Sequence, residues 1–432
     1  MTNREPSQSP PRSAKPSSKR AMLVLGIAGV CLLAGGIAGS RWYKSRRVQP
    51  AVGDCDSREE CGALCDRKDL LGCTRLATLY WFPKSGHRDL AKAESLYKEA
   101  CDAGEPMGCF SLGRMYQDAA ALRDKVASAP DLLKRAAEGF DRRCNEGRAQ
   151  ACLDLASMYI AGRGVERSTE KAGALQSKAA PILERECTSG DARSCSSLSF
   201  LAWSGTGIPK DARRSYDLGE RACELGDKRA CTRVGSEFLM GRQEMEKDLS
   251  RAARVFRRAC DLGDMTGCHT LARLYHDGSG VALDLKEAAA LQKKACDAEY
   301  PAACRELGRM FGEGEGVKKD AGQQAELYQR EVSIRARRCS EESADDCEEL
   351  SRNYRTGGFG VRIDPGRARE FEESEMRYRQ ENCDAGLLND CTAMRLRLEG
   401  RPSQGDRMRA IRERECQLGV KEQCRFLSRE KQ

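Results

Sequence analysis

Apolar residues recur along most of this chain in one order, large then small then aromatic, at three, four and seven residues beyond a cysteine. The sets are Leu76, Ala77, Tyr80; Leu112, Gly113, Tyr116; Leu155, Ala156, Tyr159; Leu271, Ala272, Tyr275; Leu307, Gly308, Phe311; and Leu350, Ser351, Tyr354. Those spacings gather each set on one helical face, which predicts an amphipathic helix A in every unit. The small residue lets a neighbouring helix approach closely. Helix A then runs into a glycine loop, as in Gly162-Arg-Gly-Val165, Gly205-Thr-Gly-Ile208, Gly278-Ser-Gly-Val281, Gly314-Glu-Gly-Val317 and Gly358-Phe-Gly-Val361. Three residues on comes Ser168, Asp211, Asp284, Asp320 or Asp364, a residue type suited to capping the start of a helix B. Helix B is rich in Ala, Leu and charged residues and ends at another cysteine, as from Asp284 to Cys296. The pattern predicts a tandem array of αα-hairpins. Second cysteines recur at intervals of 33 to 44 residues, and the long units exceed the short ones by seven. Seven residues is close to two helical turns, so the insertion lengthens helix B and keeps its apolar face in place.

Twenty of the 23 cysteines form ten pairs eight residues apart: Cys65 and Cys73, Cys101 and Cys109, Cys144 and Cys152, Cys187 and Cys195, Cys223 and Cys231, Cys260 and Cys268, Cys296 and Cys304, Cys339 and Cys347, Cys383 and Cys391, and Cys416 and Cys424. Cys55 and Cys61 stand apart, and Cys31 is alone. On one continuous helix the members of a pair would lie about 12 Å apart, beyond the roughly 4.4–6.8 Å between Cα atoms of a disulfide. A disulfide therefore requires the chain to reverse between them. Glycine stands three residues after the first cysteine in seven pairs (Gly104, Gly147, Gly190, Gly226, Gly263, Gly386, Gly419), where it supplies a left-handed helix end. Lys68, Glu299 and Glu342 break that rule. The spacing is wrong for structural zinc, and His87, His269 and His276 are too few to complete such sites. No metal or cofactor is expected.

Cys-x2-Leu-Gly-x2-Tyr, Gly-x-Gly-Val-x2-Asp and an Ala-rich helix ending Ala-Cys-x2-Gly together resemble the Sel-one-like repeat, a longer relative of the tetratricopeptide repeat. The cysteine pairs resemble the bacterial cysteine-rich subgroup. That resemblance implies an all-α solenoid of about nine repeats over residues 55–432, wound as a right-handed superhelix, with disulfides clamping neighbouring helices. It is specific because it recurs. Three units depart from it: the Cys195 unit has Ala202 where the aromatic belongs, the Cys109 unit lacks the glycine loop, and the Cys391 unit has Arg395 in the small position.

Charge changes the picture at the N-terminus only. The formal net charge is +8, and residues 1–47 hold nine basic residues and one acidic one. The remainder is neutral, which argues against nucleic acid as a partner. Ala21 to Ser40 carries no charge and is flanked by Lys19-Arg20 and Arg41, a length that spans a bilayer. Residues 1–20 are expected to be a disordered basic cytoplasmic tail, 21–40 a transmembrane anchor or uncleaved signal, and 41–54 a linker. Basic residues balance across the span, so orientation rests on the cysteines: this many structural disulfides need an oxidising space. The expectation is a single-pass inner-membrane protein with its repeats in the periplasm or otherwise outside the cytoplasm.

No catalytic residue is assigned. The glycine loops follow helices rather than strands and no phosphate-loop lysine accompanies them. His269 and His276 read as packing or surface residues, and the charge run Arg335 to Arg338 as a solvated helix face. The cysteine-rich subgroup is associated with penicillin binding, so a β-lactam-binding or β-lactamase-like hydrolase is the alternative. Its elements occur only as fragments, Ser168-Thr-Glu-Lys171, Ser351-Arg-Asn353 and Lys84-Ser-Gly86, in the wrong order. The leading expectation is a scaffold for a protein, peptide or cell-wall ligand. Its ligand-facing candidates are Arg114, Arg273 and Arg309, basic residues five beyond the cysteine in three units; a solvated stripe is the competing reading.

Overall fold

The computed structural model describes residues 55, 57–82, 88–241, 246–399 and 405–430. The expected tail, membrane span and linker, with Cys31 and the Lys84-Ser-Gly86 fragment, lie outside the described residues. No described helix is long and apolar enough to cross a membrane.

All regular structure among the described residues is helical. After α1 (Arg58–Asp66) come nine hairpins, each an A helix followed by a B helix: α2 (Leu70–Trp81) with α3 (Leu90–Asp102), α4 (Pro106–Asp118) with α5 (Ala129–Asn145), α6 (Ala149–Ala161) with α7 (Thr169–Thr188), and α8 (Ala192–Ser204) with α9 (Ala212–Glu224). They continue as α10 (Lys228–Met240) with α11 (Leu249–Asp261), α12 (Met265–Asp277) with α13 (Leu285–Asp297), α14 (Pro301–Glu313) with α15 (Ala321–Ser340), α16 (Ala344–Thr356) with α17 (Pro365–Asp384), and α18 (Leu388–Leu398) with α19 (Gly405–Gln417). Helix α20 (Lys421–Glu430) follows. Helices adjacent in sequence pack on one another throughout.

The seven-residue surplus of the long units lies in helix B. Helices α7, α15 and α17 have 20 residues where α9, α11 and α13 have 13. In the Cys109 unit, which lacks the glycine loop, a 3-10 segment (Ala120–Ser128) connects α4 to a 17-residue α5.

Every helix B meets the next helix A through the same tight turn. The residue three beyond the first cysteine has positive φ in all ten turns, including the non-glycine exceptions Lys68 (66°), Glu299 (60°) and Glu342 (71°). The turn geometry is thus imposed by the fold, and glycine is only its easiest occupant. The following residue takes the N-cap position of the A helix; Asp227, for example, accepts hydrogen bonds from Arg229 N and Ala230 N at 3.0 and 3.1 Å, whereas Arg148, Tyr300, Ser343 and Leu387 make no side-chain cap.

All ten cysteine pairs are joined across these turns, with Cα atoms 4.4–4.9 Å apart. Cys65 is bonded to Cys73, Cys101 to Cys109, Cys144 to Cys152, Cys187 to Cys195 and Cys223 to Cys231. Further along, Cys260 is bonded to Cys268, Cys296 to Cys304, Cys339 to Cys347, Cys383 to Cys391 and Cys416 to Cys424. The first cysteine of each pair closes one helix and the second opens the next, so nine of the bonds link a B helix to the A helix or end helix that follows it, and the bond of Cys65 to Cys73 links α1 to α2. Cys55 and Cys61 are disulfide-bonded as well.

The predicted helix A stripe forms the core. Leu76, Leu112, Leu155, Leu271, Leu307 and Leu350 are buried, and the small residues beside them admit the partner helix. A Cβ on Gly235 would lie 2.9 Å from the Phe256 ring. Ser351 Oγ donates to Ala368 O at 2.8 Å across the hairpin. The second loop glycine locks successive units: a Cβ on Gly316 would lie 1.9 Å from Leu285 O, so no other residue fits there.

The array also brings its first hairpins against its last. Arg414 donates to Cys383 O (3.1 Å), Asp384 O (2.9 Å) and Asp118 O. Arg88 donates to Trp81 O (2.9 Å), Glu381 O (3.0 Å) and Asn382 Oδ1. Nearly three hundred residues of chain separate the two sides of this seam, and burial lowers the pKa of both guanidinium groups.

Candidate binding surface

Counting five residues beyond each second cysteine picks out one position on successive A helices: Thr78, Arg114, Ser157, Phe200, Ser236, Arg273, Arg309, Arg352 and Leu396. Three of these are the ligand-facing candidates, and the structure shows that they differ. Arg273 is exposed and makes no hydrogen bond or ion pair among the described residues. Arg114 pairs with Asp118 at 3.1 Å along α4. Arg309 is held by Glu306 (2.6 Å), Glu315 (2.9 Å) and Glu313.

The same count reveals two members that the search for basic residues passed over. Arg352 stands in the row, paired with Glu349 at 2.8 Å. Phe200 is 56% exposed, with Trp203 packed against it at 5.9 Å between ring centroids. The cue was Ala202: the unit that lacks its buried aromatic carries two exposed ones nearby.

The histidines take different roles. His269 is packed against Tyr300 and hydrogen-bonds Gln292 Oε1 at 2.9 Å, and burial lowers its pKa. His276 lies between Asp277 and Glu315, both at 2.8 Å; their hydrogen bonds raise its pKa, and His276 with Arg309 lowers that of Glu315.

The fragments suggestive of a hydrolase have structural positions. Ser168 Oγ accepts a hydrogen bond from Lys171 N at 3.1 Å as the N-cap of α7, and Lys171 Nζ lies over the Tyr159 ring. Ser351 is buried against α17. Of the charge run, Arg337 is half exposed, but Arg335 is not a solvated residue: it is enclosed between Glu331 (2.9 Å) and Asp346 (2.8 Å). Among the described residues no cluster of three or more His, Cys, Asp or Glu is placed to hold a metal.

Fold and surface together define a helical-hairpin solenoid, cross-linked between hairpins, that presents a periodic face. Six segments match the family model of the Sel1 repeat: residues 71–105, 149–180, 192–227, 228–264, 267–300 and 301–330. The chain is a Sel1-repeat protein. Similar solved structures include a Sel1 repeat protein from Oxalobacter formigenes, with 20% identity and a TM-score of 0.40, covering 60% of this chain and 96% of that one. Another is c5321, a protective antigen of uropathogenic Escherichia coli displaying an SLR fold, with 18% identity and a TM-score of 0.38 over 85% of this chain and 73% of that one. A third is Helicobacter pylori cysteine rich protein B, with 29% identity and a TM-score of 0.23 over 29% of this chain and 90% of that one. No curated protein matches the chain.

Proposed function

We propose that this Sel1-repeat array is a membrane-anchored, extracytoplasmic scaffold that binds a protein or peptide partner along its A-helix row. The observation that carries this reading is the contrast within the row: Arg273 is exposed and unpaired, and Phe200 with Trp203 is exposed, while Arg114, Arg309 and Arg352 are committed to ion pairs within the array. An uncommitted cation and an aromatic pair, set on hairpins fixed by disulfides, present recognition groups at small entropic cost. Anchoring is supported by the uncharged stretch Ala21 to Ser40 between basic flanks, and an oxidising compartment by the ten cross-links. The N-terminus would then lie in the cytoplasm, with the array held near the membrane.

In-cell cross-linking of the full chain tests the binding role. A defined cross-linked product that is saturable, and is lost with Arg273→Glu or with the double substitution Phe200→Ala and Trp203→Ala, is the expected result; a product unaffected by either variant would remove the row from consideration. Alkaline phosphatase fused after residue 48 tests the topology, with activity expected and its absence placing the repeats in the cytoplasm.

A further inference from the structure

The seam between the first and last hairpins gathers several departures from the repeat pattern at one place. The loop of the first hairpin lies on the turns that follow the seventh and eighth. Arg88 N donates to Glu342 Oε2 at 3.4 Å, and its guanidinium donates to Glu381 O at 3.0 Å and to Asn382 Oδ1. The loop of the second hairpin lies one place further on, at the turns after the eighth and ninth. There a Cβ on Gly386 would stand 2.8 Å from Asp118 Cβ, Arg414 donates to Asp118 O, and Arg123 donates to Gln417 Oε1 at 3.3 Å. A step of one hairpin on one edge is matched by a step of one on the other, so the edges meet in a single register.

The residues that make these contacts are the irregular ones. Arg123 belongs to the 3-10 segment that replaces the glycine loop of the second hairpin. Glu342 stands where seven other turns have glycine. The two remaining exceptions, Lys68 and Glu299, pair with Glu99 and Arg337 of the hairpin that follows each, whereas Glu342 reaches across the seam. The position two before the first cysteine is basic in seven B helices, from Arg142 to Arg414, and acidic at Glu99 and Glu381. The residue before the cap of helix B is basic at Arg88, Arg167, Lys210, Lys247 and Lys319. A loop of this kind set on most turns would therefore bring like charges together, which opposes a slipped register. Outside its own hairpin, Arg88 meets the one helix end where that charge is reversed. Burial disfavours the charge on Arg88, and the carboxylates of Glu342, Glu381 and Asp390 offset part of that cost.

The seam also differs from the other junctions in how it is held. Each hairpin is joined to the next by a disulfide, from Cys101 and Cys109 to Cys383 and Cys391. Across the seam the described residues make hydrogen bonds and charge contacts only. Two stapled hairpins cannot part without breaking a covalent bond, whereas the seam can part as rigid bodies do at any non-covalent contact. Its charged contacts weaken in salt.

We propose that the seam is a clasp: it holds the array closed on itself in one register, and the array opens there rather than by flexing between its stapled hairpins. The clasp stands independently of what the A-helix row binds. Electron–electron double resonance on the oxidised full chain tests it, with nitroxide labels carried on a keto amino acid. Labels at Asp124 and Lys421 flank the contact of Arg123 with Gln417, and labels at Glu170 and Arg213 span two hairpins joined through Cys187 and Cys195; all four positions are exposed. The variants are Glu381→Arg, which installs the basic type that seven other B helices carry and so should keep a cooperative melt, and Arg88→Ala. In wild type the seam pair should give one short distance. Both variants should lose it to a longer, broader distribution with the control pair unchanged, and high salt should shift wild type the same way. A seam distance that both variants preserve would overturn the clasp, as would a broad distribution in wild type or a control pair that lengthens along with the seam. Should Glu381→Arg fail to melt cooperatively, Arg88→Ala, in a loop outside any helix, decides the question alone.

Discussion

The hairpins around residues 249–310 and those around residues 321–398 share one backbone plan and an apolar core, and differ at one buried register. In the first region, Ala252 and Phe256 of α11 belong to an apolar cluster, and a Cβ on Gly267 of α12 would lie 2.6 Å from Ala259 Cβ of α11. The equivalent positions, counted from the cysteines, are Glu331, Arg335 and Asp346 in one later unit and Glu375, Arg379 and Asp390 in the next. Glu331 and Glu375 are almost wholly buried. Arg335 bridges Glu331 and Asp346; Arg379 bridges Glu375 (3.0 Å), Asp390 (3.0 Å), Asp345 (2.9 Å) and Glu348 (2.8 Å). An ionic triad has replaced an apolar one at an unchanged position. The repeat therefore constrains volume and helix spacing more tightly than polarity, provided that every buried charge finds its partners. The family-model matches end at residue 330, where the ionic units begin, although the hairpins continue.

The largest effect should come from reducing the disulfides. Each closes a short loop and contributes about 2.5 kcal/mol in the chain-entropy model, so the array should lose cooperative unfolding. Hydrogen exchange should show the ionic hairpins losing protection before the apolar ones, since they bury less apolar surface; simultaneous loss would erase the distinction between the regions.

Glu375→Ala should cost about 3–5 kcal/mol by leaving Arg379 and Arg397 without their buried partner. Phe256→Ala, at the apolar counterpart of Arg379, should cost a similar about 3–5 kcal/mol by leaving a cavity. Urea denaturation measures both, and only the first variant's deficit should vary with salt. In contrast, the combined replacement Glu331→Ala, Arg335→Phe and Asp346→Ala, which installs an apolar triad, should be neutral or stabilising by about 1–4 kcal/mol. A large destabilisation would mean that the later hairpins need the ionic triad for packing.

pH should separate the regions in sign. Burial raises the pKa of Glu331, Glu375 and Asp390 despite their arginine partners. Their contribution is complete below the ordinary carboxylate range and is lost as pH rises through the raised values. In the first region Arg251 and Arg254 of α11 reach back to Glu220 of α9, where burial opposes its charge but their hydrogen bonds outweigh burial and lower its pKa. Its contribution is present above the ordinary range and is lost as pH falls through the lowered value. Exchange protection measured against pH should thus move in opposite directions in the two regions.

The smallest effect belongs to the turn that both regions share. Lys68→Gly should stabilise by about 1 kcal/mol by relieving a left-handed residue whose side chain is mostly exposed. A thermal melt reads this change, and a loss of stability would show that the lysine contributes more than its backbone costs.

Much of this was legible from spacing alone. The apolar stripe at three, four and seven gave helix A because helical geometry leaves no other way to bury those residues together, and the recurring cysteines marked each reversal of the chain. The surplus seven residues fell in helix B because two turns preserve the buried face. Tertiary structure decided what local pattern cannot carry. The run at Arg335 to Arg338 reads as a solvated face until Glu331 and Asp346 close around Arg335, since charge in sequence says nothing about which carboxylates lie across the hairpin. Arg114, Arg273 and Arg309 occupy one register position, yet only packing left Arg273 free and committed Arg309 to Glu306 and Glu315. The seam of Arg88 and Arg414 lies beyond any periodic rule, because it depends on small rotations accumulated over many hairpins. Periodicity determined the unit, and the summed geometry of the array determined which of its surfaces meet.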